Sequence, residues 1–393
     1  MANVKVRSSV GKRQPVREAE LGGSMVPFVS AAHEHEEVIA DQTLEITANE
    51  QQLTPMNVGA YGYARFIWVQ VETVEEGTTE AEATENEDTP WRIFSSIQLN
   101  DVNGTPLFNP MDGFTMLWCN ILGGYRGVPD PRQAPYYSAS MKKPKFSFRV
   151  PVEISRKNAF GAIANQNSGA MYKLYLSINN KTNLVTKFSK MPKIRVRVYL
   201  EAWSQPDDFN LAGRPQAEGP PLLDSAQYHS HYVRETNKGA NTVLLTEVGD
   251  LIRFILIIAR TNAGVRADKV FADPVELKWD GNTMHQFTRM MQEEHIAACV
   301  PQLKTRDTGV FAFLFNLGDH GLVGDDSPTL YYPTMQSTRL EIIGNTEEAG
   351  VWDIISDVVA PVATNAAERY QVPNRSSRHP EGTGAGQVGA LTG

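Results

Sequence analysis

Cysteine is scarce in this chain: only Cys119 and Cys299 occur among 393 residues. Two thiols cannot build a disulfide framework, and the scarcity fits folding in a reducing cytoplasm. Long hydrophobic runs are lacking as well. The most apolar stretch, Leu251 to Ala259, is interrupted by Arg253; it suits a buried strand and is too short to span a bilayer. The N-terminus shows no apolar segment of the kind that directs secretion. An excess of positive charge is missing too. The 37 Lys and Arg are outnumbered by 45 Asp and Glu, a net −8, so no sequence-specific nucleic-acid binding is expected of the chain as a whole. Catalytic signatures are absent: there is no Gly-x-Ser-x-Gly elbow, no phosphate-cradling loop and no His-Glu-x-x-His. Gly384 to Gly389 fits Gly-x-Gly-x-x-Gly but lies in a tail with no strand before it or helix after it, which excludes a dinucleotide site. No cofactor is expected. Hydrophobic residues (41%) and aromatics (9%) suffice for real cores, and the length points to two or more domains.

The first segment, residues 1–41, has little apolar periodicity. Lys5, Arg7, Lys12, Arg13 and Arg17 precede the first acid, Glu18, so it reads as a basic arm. Strand signals follow at Thr43–Thr47 and Ala64–Thr73. Glu72 to Asp88 is acidic and nearly free of large apolar residues, which predicts a solvated, outward-facing loop. Trp91–Leu99 reads as strand, with a turn at Asp101 to Gly104. Met111, Phe114, Leu117, Trp118, Ile121 and Leu122 share one face of a helix predicted from Pro110 to about Leu122 and stopped by Gly123 and Gly124. A Pro- and Tyr-rich loop covers Gly127–Met141. Strands are expected at Phe146–Ile154, Met171–Asn179 and Ile194–Trp203, the last with strict alternation. Residues 205–226, rich in Pro, Gly and Asp, form the linker.

After the linker the plan recurs. Phe66–Thr73 has a counterpart in Phe254–Thr261, and Ile97–Gly104 in Val275–Asn282. A second helix is predicted over about Asn282–Ala298, with Met284, Phe287 and Met291 on one face. Phe146–Arg149 matches Phe311–Leu314, and Leu174–Asn179 matches Leu340–Asn345 at the same distance downstream. One cysteine sits in or at the end of each helix, where a buried inert thiol is expected. Many short strands without βαβ alternation favour an all-β fold of two tandem eight-stranded jelly rolls, each with a short helix insertion. The expected organisation is arm 1–41, first roll 42–204, linker 205–226, second roll 227–362 and flexible tail 363–393.

Val150 to Ile154 continues through Asn158–Asn165 to Tyr175–Asn180. This resembles the tectiviral pattern of a Val-Pro strand, a Gly-Ala loop and a strand ending in Asn-Asn. Over roughly residues 42–360 the chain resembles the double jelly-roll major capsid proteins of the tectivirus–adenovirus lineage, most of all those of tailless double-stranded DNA phages with an internal membrane. The resemblance implies a structural protein and no enzyme. It implies a homotrimer that mimics a hexagon and tiles an icosahedral virion shell with neighbouring capsomers and a vertex (penton) protein. It also implies an N-terminal arm against the internal viral membrane, with Lys5, Arg7, Lys12, Arg13 and Arg17 facing inward, and synthesis in the host cytoplasm before assembly. The long acidic insertion and the basic start depart from the family.

Competing chemistry rests on histidines. His229, His231 and Glu235 have the His-x-His-x3-Glu spacing of a cupin metal site, because alternate strand residues share a face. The flanking glycines and a third histidine are missing, so the alternative is polar residues on an exposed strand. A cupin-like metal-dependent or carbohydrate-acting two-domain jelly-roll enzyme is the runner-up reading. His33 to Glu36 holds further metal-capable donors, and Tyr136 and Tyr137 offer a conceivable sugar platform.

Overall fold

A computed structural model describes residues 27–125, 130–156, 159–207, 225–300, 303, 305–318, 321–323, 331–334 and 338–361. The first unit holds β1 (Glu34–Glu45), β2 (Tyr63–Glu75), β3 (Thr78–Glu85), β4 (Phe94–Asn100), β5 (Pro106–Met111), α1 (Gly113–Gly123), β6 (Phe146–Pro151), β7 (Lys173–Ile178), β8 (Val185–Lys190) and β9 (Lys193–Trp203). The second holds β10 (Ser225–Thr236), β11 (Gly239–Leu245), β12 (Leu251–Thr261), β13 (Val275–Trp279), β14 (Asn282–Phe287), α2 (Arg289–Cys299), β15 (Val310–Leu314), β16 (Leu340–Thr346) and β17 (Gly350–Pro361).

Each unit is a jelly roll of two four-stranded layers. In the first, β1-β9-β2-β6 form one sheet; the short strands at 51–52 and 56–57, with β7, β4 and β5, form the other. In the second, the corresponding layers are β10-β17-β12-β15 and β11-β16-β13-β14. All four segment pairs matched in the sequence occupy equivalent strands: β2 with β12, β4 with β13, β6 with β15 and β7 with β16. The likeness extends to irregularities. A bulge sets Arg65 off the β2–β9 register and Arg253 off the β12–β17 register, at equivalent places; such bulges re-aim a side chain. A space between the layers of the first roll, lined by Val58, Ile67, Leu99 and Val152 among others, amounts to about 10 Å³. That is no more than one water needs, so side chains fill this part of the core.

Four expectations require correction. The predicted helix at 110–122 begins at Gly113, because Pro110 and Met111 belong to β5 and the Asp112 carboxylate caps the helix by accepting from the Thr115 N–H. Its partner begins at Arg289, capped by Thr288; residues 282–287 are strand, with His285 opposite Leu277 and Phe287 opposite Val275. The acidic stretch is no loop. β2 runs to Glu75, and β3 pairs with β8 in a two-stranded projection where Glu75, Glu76 and Glu82 meet Lys190, Lys143 and Lys187. Lys187 and Lys190 on β8, with Lys143 from a neighbouring turn, relieve the repulsion that argued for a solvated loop. Residues 34–41, expected in the arm, are strand paired along β9.

Candidate functional site

The most elaborate chemistry lies between the two rolls. β5, the outer strand of a first-roll sheet, meets β10 of the second in a single parallel bridge, Phe108 to His229. The bridge fuses two sheets into one of ten strands. Most buried apolar side chains of both rolls form one contiguous cluster. α1 explains why. All of its residues are buried, and it packs on β6 of its own roll and on β12 of the other. β12 is therefore covered on both faces, which accounts for its nearly continuous apolar sequence from Phe254 to Ala259. Gly113 is forced at the start of α1, since a Cβ there would lie 2.0 Å from the Trp91 carbonyl oxygen.

Three polar networks cross this seam. In the first, Asp88 (1% exposed) accepts from Arg260 Nη1 at 2.6 Å and Arg266 Nε at 2.7 Å, both second-roll residues, and from Arg92 Nη1 at 3.3 Å. Arg260 also faces Asp353 at 3.3 Å and Asp112 at 3.9 Å. Burial works against its charge, yet Asp88, Asp112 and Asp353 outweigh that and raise its pKa. Asp353 itself is raised, because its own burial outweighs Arg260. Arg266 lies 4.7 Å from the Phe114 ring of α1, a cation–π contact. In the second network, Asp357 accepts from Arg253 at 2.5 Å and from Gln227 at 2.8 Å, with His229 Nε2 at 3.5 Å. Arg253 donates onward to the Gly123 carbonyl of α1 at 3.0 Å. Burial pushes the Asp357 carboxyl up, but Arg253 and His229 overcome it and hold its pKa below the usual value. In the third, Arg132 donates to Asp307 at 2.8 Å and Trp118 Nε1 donates to the same oxygen at 3.2 Å.

The candidate metal residues resolve differently from their spacing. His229 is no exposed strand residue. It is 1% exposed, stacked 4.3 Å from the Phe108 ring and committed to Asp357. His231 donates to the Pro110 carbonyl at 2.6 Å and faces a different carboxylate, Asp353, at 4.0 Å. Glu235 is exposed farther along β10. Among the described residues no group of three or more His, Cys, Asp and Glu is arranged to hold a metal. In the other cluster, Glu34 pairs with Arg65 and Arg156, and His35 stacks on Tyr61 at 3.9 Å. Tyr136 is tied to Ser147 at 2.7 Å and Tyr137 stacks on Trp91 at 6.0 Å, so the two make no shared platform. Cys119 is sealed in α1, and burial pushes its thiol pKa well up; Cys299 is buried at the end of α2. Lys5, Arg7, Lys12, Arg13 and Arg17, most of the linker and the tail lie outside the described residues. Composition had marked Asp88 and Arg253 only as a member of an acidic run and as an interruption of an apolar one. That interruption was the one available signal of a seam.

No protein-family model matches the chain, and no curated protein matches it by sequence. Solved structures do share its double jelly-roll fold. The major capsid protein P2 from bacteriophage PM2 aligns with a TM-score of 0.53 at 9% identity, over 85% of this chain and 99% of that one. The STIV MCP aligns at 0.57 and 11%, over 86% and 100%. The Faustovirus major capsid protein aligns at 0.53 and 9%, over 84% and 90%.

Proposed function

We propose that this chain is a major capsid protein, a structural subunit of an icosahedral shell around an internal membrane and a double-stranded DNA genome. The observation that carries the reading is the seam. Two rolls share one sheet, one main apolar cluster, two buried ion-pair networks and a third, partly exposed one, so they form one block with two similar lobes. A block of that kind is a tile, and three of them present six lobes. The proposed assembly is a homotrimer that contacts neighbouring capsomers and a vertex protein, made in the host cytoplasm and resident in the virion. The fold shared with structures named as major capsid proteins supports it.

The arm is assigned to the interior. Lys5, Arg7, Lys12, Arg13 and Arg17 stand against a net-negative chain, and each contributes about 1 kcal/mol at an anionic membrane surface. Such a term orients the shell and needs no sequence-specific nucleic-acid contact. Native mass spectrometry of the expressed chain tests the trimer, and negative-stain images test closed particles. Protease should trim the arm from free trimers and spare it in particles. Monomers at micromolar concentration, or one metal ion per chain lost on replacing His229 and His231, would overturn the reading in favour of the cupin-like enzyme.

A further inference from the structure

The two rolls are equivalent in fold but not in what covers them. β5 and α1 superpose in sequence on β14 and α2 without a gap: each is a six-residue strand, a capping residue and an eleven-residue helix. Phe108 thus corresponds to Met284, and Phe114 to Met290. In the first roll both aromatics are buried against the second, Phe108 on His229 and Phe114 beneath Arg266. Their counterparts are bare: Met284 is 47% exposed and Met290 71%. α1 is buried throughout, whereas α2 buries only Gln292, Ile296 and Cys299.

The receiving side shows the same asymmetry. Phe254 pairs with Asp357 and Asp357 with His229; equivalently, Phe66 pairs with Glu201 and Glu201 with Glu36. One step along, Leu256–Ile355–His231 corresponds to Trp68–Tyr199–Val38. The second-roll face is closed by β5 and α1. On the first-roll face, Trp68 and Tyr199 are half-buried and Val38 is 53% exposed. Beside them lies a groove of about 210 Å³ lined by Gln70, Glu72, Tyr136 and Arg197. Glu72 stands where the second roll has Arg260, the residue that meets Phe114.

We infer that β14 and α2 of one copy dock on the β1–β9–β2 face of the next, repeating between chains the seam found within the chain. The inference rests on the proposed trimer and names its contact surfaces. The occupant is a second copy because each half of the contact already has its complement in the chain, once, and each chain carries one unused half of each kind. A head-to-tail ring built this way leaves neither half open at closure, and with three chains all six seams are alike. It also covers β1 and β14, edge strands that otherwise present unpaired backbone.

The test uses the full chain. By equivalence with the Phe108–His229 bridge, Glu36→Cys together with Met284→Cys should place two Cα atoms of neighbouring chains within disulfide reach, giving a covalent trimer on a non-reducing gel after mild oxidation. The double variant Met284→Glu, Met290→Glu should raise the concentration at which trimers half-dissociate by at least about thirtyfold, the effect of charging an interface anchor, with an unchanged melting profile for the monomer. Leu244→Glu, exposed on the opposite edge strand of the same sheet, should leave trimers intact. Covalent trimers plus loss of association in the glutamate variant support the inference. Trimers that survive Met284→Glu, Met290→Glu, or trimers of the Glu36→Cys, Met284→Cys variant that do not cross-link on oxidation, overturn these surfaces while the capsid reading stands. A wild-type chain that remains monomeric overturns both.

Discussion

Asp88 provides the sharpest test of the seam. It is the last residue of an acidic run that composition places in solvent, yet it is buried and answers three guanidinium groups. Asp88→Ala leaves Arg260 and Arg266 facing each other without the carboxylate between them. Removing one partner of a buried pair costs about 3–5 kcal/mol, because the other charge stays desolvated. Arg260 retains Asp353 at 3.3 Å and Asp112 at 3.9 Å, which points to the lower end, about 3 kcal/mol. At about 2 °C per kcal/mol for a large chain, the melting temperature should fall by about 6 °C. Calorimetry reads this directly. Two controls give it meaning. Glu82→Ala, from the same acidic run but 83% exposed at its side chain and paired to an exposed Lys187, should melt with the wild type. Asp88→Leu combined with Arg260→Met removes both charges and should recover part of the loss, since a buried pair replaced by apolar side chains is often neutral. If Asp88→Ala melts with the wild type, the network carries no stability and the argument for a welded block fails.

The other predictions concern neighbouring features. Gly113→Ala should destabilise by about 1–3 kcal/mol or more, through overpacking of its Cβ against the Trp91 carbonyl, measured by urea unfolding. Replacing Thr78–Glu85 by a short turn, with Glu87 and Asp88 kept, should leave a folded chain by circular dichroism, because β3 pairs only with β8 in a separate two-stranded sheet. His285 and His295 have pKa values lowered by burial, His295 also by His285. Their unfolded forms therefore bind protons first, and stability should fall as pH drops below about 6.5, through the folded-state values; melting scans from pH 7.5 to 5 should show this slope, flattened in His285→Gln, His295→Gln. Asp357, with its pKa also lowered, contributes in the same direction but in a lower pH window. Its stabilisation is fully present above the unfolded carboxylate value and is lost progressively as pH falls from there through the lower folded one, so Asp357→Asn should weaken the protein most at pH 7 and progressively less as the pH is lowered below the unfolded value.

Much of the fold was legible because burial on one face leaves a period in the sequence. Ile194–Trp203 alternates, since β9 has one face on the core, and the four repeated segments kept their pattern of core residues. What escaped was set by distant partners. β5 and β14 escaped because each runs straight into a helix whose apolar residues continue the same count, so that Met111 and Phe287 fit either period; only the caps Asp112 and Thr288 separate them. β17 was unread because it is buried on both faces over much of its length and shows no clean alternation. The seam was hidden for an electrostatic reason. A carboxylate resists burial until an arginine answers it, and the two closest of the three arginines that answer Asp88, Arg260 and Arg266, stand more than 170 residues away along the chain. His229 failed similarly: its spacing suggested a ligand set, and Phe108 across the seam together with Asp357 on the adjacent strand made it a stacked, buried core residue.

The same logic explains why two rolls of one plan diverged in composition. A strand covered on both faces must be apolar throughout, and one with an open face need not be. β12 reads Phe254, Leu256, Ile258 on the side that α1 covers, while β2 offers Phe66, Trp68, Gln70 at the equivalent places. α1 carries Phe114, Leu117 and Trp118 where α2 carries Met290, Glu293 and Glu294. A permanent contact inside one chain favours rigid aromatics that fill a closed space. A surface that must stay soluble until it meets another copy is better served by a half-buried aromatic, flexible methionines and flanking charges, because methionine packs adaptably and the charges limit premature association. The divergence between β2 and β12, and between α1 and α2, therefore follows from which seam closes on folding and which is left to close on assembly.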